Sequence, residues 1–188
     1  GTSSPSKRLH SVVSSSGSDN GGIAQRLEVQ NVNHLGWGTS SAKSLTLSFW
    51  VKSAKTGTYI AEFRDIDNTR NISKSYSISS ADTWEYKTVT FAGDTSGALD
   101  NDNGNSLNVE WWLASGTTFN SGDVPTSWEA KSNADRAAGL DVAIGASTSD
   151  DFHITGVKLE VGSTATDFVH RSYGEELALC QRYYEEWG

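Results

Sequence analysis

The chain of 188 residues has no methionine, one cysteine and two prolines. The single Cys180 leaves nothing for an internal disulfide, so the fold must be held by its core. Basic residues are few, 15 against 23 acidic, for a net charge of −8, and they form no run. Phosphate-binding surfaces depend on clustered Lys and Arg, so no nucleic-acid partner is expected. No apolar stretch approaches the roughly 20 residues that span a bilayer, and no signal peptide is visible, so no membrane insertion is expected. The opening GTSS, without an initiating Met, reads as a cloning scar or a processed end of a piece cut from a longer protein. Residues 1–7 are expected to be a disordered or tag-derived N-terminus.

Catalytic signatures are also missing. The sequence has no GxSxG, no HExxH and no glycine-rich phosphate loop, and His10, His34, His153 and His170 are far apart. Glu85 and Glu110 would imitate a glycosidase carboxylate pair, but acidic residues on solvated strand faces are the commoner case. A non-enzymatic protein is expected.

What is abundant is Gly, Ser, Thr, Asn and Asp, interleaved with 7 Trp. Several segments alternate with period two, the pattern of a sheet with one buried face. In SLTLSFWVKS, Leu45, Leu47, Phe49 and Val51 share one face, and Thr46, Ser48, Trp50 and Lys52 the other. In DTWEYKTVTF, Trp84, Tyr86, Thr88 and Thr90 oppose Glu85, Lys87, Val89 and Phe91. RLHSVVS, IAQRLEVQ, GTYIAEFRD, NISKSYSIS, LNVEWWLAS, GLDVAIGA and DFHITGVKLEVG bring the total to about nine strands, which predicts an all-β antiparallel sandwich (jelly roll) over residues 8–170. Turn-rich loops at 93–106 and 115–138 are long enough to carry function.

The last segment, 171–188, changes period. Ser172 with Glu175 forms a capping box, and Leu177, Cys180, Tyr184 and Trp187 fall near one helical face. A C-terminal helix is expected, its apolar stripe packing on the sandwich or at an oligomer contact. Cys180 reads there as a small core hydrophobe.

Two ligand chemistries suggest themselves. Asp94, Asp100 and Asp102, with Asn101 and Asn103, form an oxygen-rich cluster, and Asp65, Asp67 and Asn68 a smaller one. A hard cation such as a structural Ca2+ takes ligands of this kind. A plain polar turn is the competing and commoner case, and no other cofactor is called for. Sugar rings present apolar C–H faces, so exposed indoles beside polar groups make saccharide platforms. Trp50 and Trp112 lie opposite the apolar parity of their strands, and Trp37 and Trp128 lie in loops, making these four the ligand-binding candidates. Trp84 and Trp111 read as core.

The run ITGVKLEVGSTATDFVHRSYGEELALCQRYYEEW resembles a segment recurring in bacteriophage tail fibres and related phage structural proteins. The shared positions are Ile154, Gly156, Val157, Leu159, Glu160 and Gly162, then Ala165, Thr166, Phe168 and Arg171, then Ser172, Tyr173, Glu175, Glu176, Leu177, Cys180, Gln181, Arg182, Tyr183 and Tyr184. Asp167 departs from the pattern, which usually has proline there. Upstream, LTLSFWVKS and TWEYKTVTF look like strands of carbohydrate-binding-module-like jelly rolls. The resemblance implies a β-sandwich in a virion appendage, extracellular, homotrimeric in the parent protein and joined to other tail-fibre segments. It implies a part in host attachment, by receptor binding to a cell-surface glycan, and supplies no binding residues. The alternatives are a structural spacer or trimerisation module of the fibre, or a carbohydrate-binding module of a polysaccharide depolymerase.

Overall fold

The computed structural model describes residues 16–102 and 104–181. Eight strands cross them: β1 (Asn20–Glu28), β2 (Leu45–Ser53), β3 (Gly57–Asp65), β4 (Arg70–Ile78), β5 (Glu85–Phe91), β6 (Asn105–Ser115), β7 (Glu129–Ala130) and β8 (Phe152–Val161). One sheet runs β1-β6-β3-β4-β7 and the other β5-β2-β8, antiparallel throughout and packed face to face. This is the sandwich that the alternation predicted. Short helices α1 (Val29–Val32) and α2 (Thr117–Asn120) sit in connections, and α3 (Tyr173–Gln181) follows the last strand.

The core lies between the sheets. Leu45, Leu47, Phe49 and Val51 of β2 all point into it, against Tyr59 and Phe63 of β3, Ile72 and Tyr76 of β4, and Val109 and Trp111 of β6. Aromatic edges meet faces there: Phe49 with Tyr76 at 5.1 Å, Phe49 with Trp111 at 5.8 Å, Phe63 with Phe91 at 4.5 Å. Such pairs add about 0.5–1.5 kcal/mol beyond the area that they bury. Trp111 is therefore core, as its parity predicts.

Two expectations need adjustment, and a third falls on residues that are not described. The strand expected at 8–14 lies outside the described residues. The segment GLDVAIGA is not a strand. Its alternation is real, since Val142 and Ile144 are buried, but it hangs on single bonds, Asp141 N–H to Thr58 O and Ile144 N–H to Leu113 O. Gly139 and Gly145, at φ +81° and +98°, turn the chain away on either side before a ladder forms. Conversely β7, with two residues, is too short for periodicity to reveal.

A bulge in β8 shapes the outer surface of the smaller sheet. Trp50 faces Thr155 and Ser48 faces Lys158, so Gly156 and Val157 stand opposite the single Phe49. Gly156 has φ +59°, the left-handed value that the first residue of a glycine bulge adopts. A β-carbon there would sit 3.4 Å from Cδ1 of Trp50. Gly156→Val is expected to cost about 1–2 kcal/mol, the penalty of left-handed backbone for an L residue. Urea unfolding at unchanged midpoint would contradict this.

At the C-terminus the capping box is present. Ser172 N–H donates to Glu175 Oε2 at 3.0 Å, and Glu175 N–H returns to Ser172 Oγ at 3.4 Å. The Ser172 hydroxyl also holds the Glu175 carboxyl below its usual range. The apolar stripe, however, is not buried: every residue of α3 is exposed, Leu177 and Cys180 included. Cys180 is thus no core residue. Tyr184 and Trp187 of the expected stripe lie outside the described residues.

Candidate functional site

The outward face of the smaller sheet divides in two. Cross-strand rows run Thr90–Thr46–Glu160, Thr88–Ser48–Lys158, Tyr86–Trp50–Thr155 and then Lys52–His153. At the first end the chain returns over the sheet. Gly162 N–H bonds Ser44 O, Thr46 Oγ1 bonds Gly162 O, and Lys158 Nζ reaches Thr166 Oγ1 and Asp167 O. Glu160 accepts from the hydroxyl and N–H of Thr166 and pairs with Lys158, which together hold its carboxyl down at about 2. Thr46 and Ser48 are consequently buried.

The other end is open and aromatic. Trp50 is 43% exposed, Tyr86 43% and Trp84 41%, far above any other tryptophan of the described residues. Trp50 and Tyr86 face each other across β2 and β5, their rings 5.4 Å apart and tilted by 46°. Trp84 immediately precedes β5 and sets its edge against His153 of β8 at 6.2 Å. Lys52 Nζ stands 6.0 Å from the Trp84 ring. His153 Nε2 lies 3.4 Å from Asp151 Oδ2.

The turn before β5 is tied down, which positions Trp84. Glu85 accepts the N–H groups of Ser79 and Ser80, each at 2.8 Å, and pairs with Lys87 Nζ at 2.6 Å. Lys87 holds the Glu85 carboxyl below its ordinary range. Asp82 N–H bonds Ser53 O at the end of β2, with Asp82 at φ +55°, a conformation that Asp tolerates better than most residues. Platform and core are thus built on the two faces of one ladder.

Of the four tryptophans singled out as ligand-binding, only Trp50 is exposed. Trp37 and Trp128 form an edge-to-face pair at 5.0 Å, and their indole N–H groups donate to Lys43 O and Ala92 O. They are buried at the sandwich end because backbone carbonyls there satisfy the polar edge of each ring. Trp112 does point outward from the larger sheet, as parity predicts, but residues 116–140 cover it. Phe119 packs on it at 5.4 Å and the Arg136 guanidinium stacks 4.8 Å from its ring. Trp84, expected in the core, belongs to the platform instead. The signal was present: Trp84 shares parity with Thr88 and Thr90, opposite Val89 and Phe91.

The oxygen-rich loop is likewise fastened by protein donors. Asp94 is buried, accepts Arg70 Nε at 2.5 Å and takes the Ser96 N–H. Asp102 accepts the N–H of Gly104, and Asp100 gives its own N–H to Asp67. Asn68 bridges Asp65 and Ala98 O. Asp94, Asp100 and Asp102 therefore do not converge, and among the described residues no group of three carboxylate, imidazole or thiol side chains is arranged to hold a metal. Asp94 and Asp102 close local turns, and Asp67 accepts from the loop at Asp100.

Glu85 and Glu110 stand in different sheets and form no pair. The carboxylate facing Glu110 is Glu62, its neighbour across β3 and β6. Arg136 joins them, with Nε 2.9 Å from Glu62 Oε1 and a terminal nitrogen 2.6 Å from Glu110 Oε2, while Trp112 Nε1 donates to Glu62 Oε2 at 2.8 Å. Burial raises the Glu62 carboxyl to about 7, outweighing the opposing pull of Arg136. A carboxyl titrating there invites an acid–base reading. Glu62 is wholly buried, however, and both of its oxygens are bonded, so it clamps residues 116–140 to the sheet.

No family model, curated protein or solved structure matches the chain.

Proposed function

We propose that this is a non-enzymatic recognition domain of a bacteriophage tail fibre, extracellular on the virion, which attaches it to host-surface carbohydrate. The observation that carries the reading is the open cluster of Trp50, Trp84 and Tyr86. Large rings are ordinarily buried, and a folded chain that leaves three together on one sheet face forgoes several kcal/mol of burial there, at about 25 cal/mol per Å2. Indole and phenol faces stack on the C–H faces of pyranose rings, while Thr155, His153 and Lys52 supply hydroxyl, imidazole and ammonium groups at the rim. The resemblance of the closing strand and helix to tail-fibre segments supplies the setting. A glycan array tests the reading: wild type is expected to retain a defined set of saccharides, and the double variant Trp50→Ala/Trp84→Ala to lose them. Equal retention by the variant would sink it.

One observation favours a second role, as a structural or trimerisation module of the fibre. Phe168, Val169, Tyr173, Leu177 and Leu179 are all exposed, an apolar set that no described residue covers. If copies of the chain meet there, light scattering after size exclusion will give a multiple of the 20.2 kDa chain mass, and a chain ending at 171 will elute as a monomer. Identical mass for both chains would remove this role.

A further inference from the structure

We infer that the saccharide bound on this platform bears a carboxylate, as in a uronate unit, and that Lys52 selects it. The inference rests on the saccharide reading above and names the sugar class. It starts from an asymmetry among the three lysines of the smaller sheet. Lys87 on β5 is neutralised by Glu85, two residues away on the same strand, at 2.6 Å. Lys158 on β8 is neutralised by Glu160, again two residues away, at 2.9 Å. Lys52 on β2 has Trp50 and Ala54 in those positions, and no described carboxylate pairs with it. In a chain of net charge −8 with an excess of carboxylates, an ammonium that stands beside exposed rings and meets no described carboxylate is a selective feature.

The geometry suits an acidic sugar. Lys52 Nζ stands over the Trp84 ring at 6.0 Å from its centroid, the outer limit of a cation–π contact, and Trp84 stays 41% exposed. A pyranose laid against that indole meets the ammonium with its ring substituents. Across the β2–β8 ladder the neighbour of Lys52 is His153, whose Nε2 lies 3.4 Å from Asp151 Oδ2. Lys52 supplies the ammonium at the Trp84 end of the platform. The remaining acidic surface does not oppose it strongly, because charges beyond a Debye length of about 8 Å are screened at physiological salt.

The test compares polymers that differ only in charge: polygalacturonate, alginate and hyaluronan, each beside its carboxyl-reduced form, by affinity electrophoresis at 50 and 500 mM salt. At least one acidic polymer is expected to bind about tenfold more tightly than its reduced form, the size of one charge-assisted hydrogen bond. High salt is expected to erase the difference. Lys52→Met, which keeps the apolar stem, removes the preference, Lys52→Arg retains it, and Trp84→Ala weakens both forms alike. Equal binding of acidic and reduced polymers, or an unchanged preference in Lys52→Met, overturns the inference and leaves the saccharide reading standing. Binding of none of the six polymers overturns it together with that reading for these sugars.

Discussion

Arg136→Ala is expected to destabilise the domain by about 3–5 kcal/mol, the usual consequence of removing one partner from a buried ion pair. Arg136 is 8% exposed and Glu62 not at all, so solvent cannot replace the lost guanidinium. The variant leaves Glu62 with the Trp112 N–H alone, opens the stack of Arg136 on Trp112 and Phe119, and releases Glu110 to Arg64. Residues 116–140 keep a tie to the larger sheet in the variant, because Ser73 Oγ donates to the backbone carbonyl at position 136. Urea unfolding checks the magnitude, and a loss below about 1 kcal/mol would mean that the network is dispensable.

The same network makes stability depend on pH, and the sign follows from Glu62. Its folded pKa of about 7 lies above the ordinary 4.5, so between those values the folded chain holds the proton more firmly than the unfolded chain. The contribution of Glu62 to stability is then fully present below about 4.5 and declines as pH rises through 7. Glu160, Glu85, Asp150 and Glu175 act in the opposite sense: their lowered pKa values favour the fold above the carboxylate range and lose that effect in acid. Maximal stability is expected near the weakly acidic side of neutrality. Glu62→Gln is expected to flatten the slope between pH 5 and 8 while leaving the acid limb in place. Denaturation midpoints across that range decide it.

The second large effect concerns binding. Losing Trp50 and Trp84 together is expected to weaken saccharide binding by about a hundredfold, taking 1–1.5 kcal/mol for each stacked ring. The fold should be almost unaffected, since both rings lie on the outer face and neither joins the buried cluster of Phe49, Tyr59 and Trp111. A matched control is Trp112→Ala, which creates a void beneath Arg136 and Phe119 and is expected to cost about 3–5 kcal/mol of stability. Thermal melts and titrations on the same samples separate the two behaviours. A large melting shift in the platform variant would show that its rings serve packing.

Period-two alternation was sufficient to place β2 and β3, because each strand has one face on the core and side-chain direction repeats every second residue. Parity also oriented Trp50 and Trp112 correctly. Trp84 follows parity too, since its neighbours Thr88 and Thr90 mark the outer face, whereas at GLDVAIGA the alternation holds without a strand. Trp112 failed for a different reason: parity gives direction, whereas cover comes from residues 116–140, which fold back with Phe119 and Arg136 over the ring. Local clustering in sequence does not say which donors reach the aspartates; Arg70 comes to Asp94 from β4.

The amino-acid order alone determined the sandwich, the outward orientation of Trp50 and the capped start of the last helix. These depend on contacts within a few residues, or on a period that every strand repeats. Tertiary structure decided which outward rings stay open, which carboxylates close turns, and that no described carboxylate pairs with Lys52. Those outcomes depend on surfaces brought together across many residues, and no local pattern encodes what will lie on top of a given side chain.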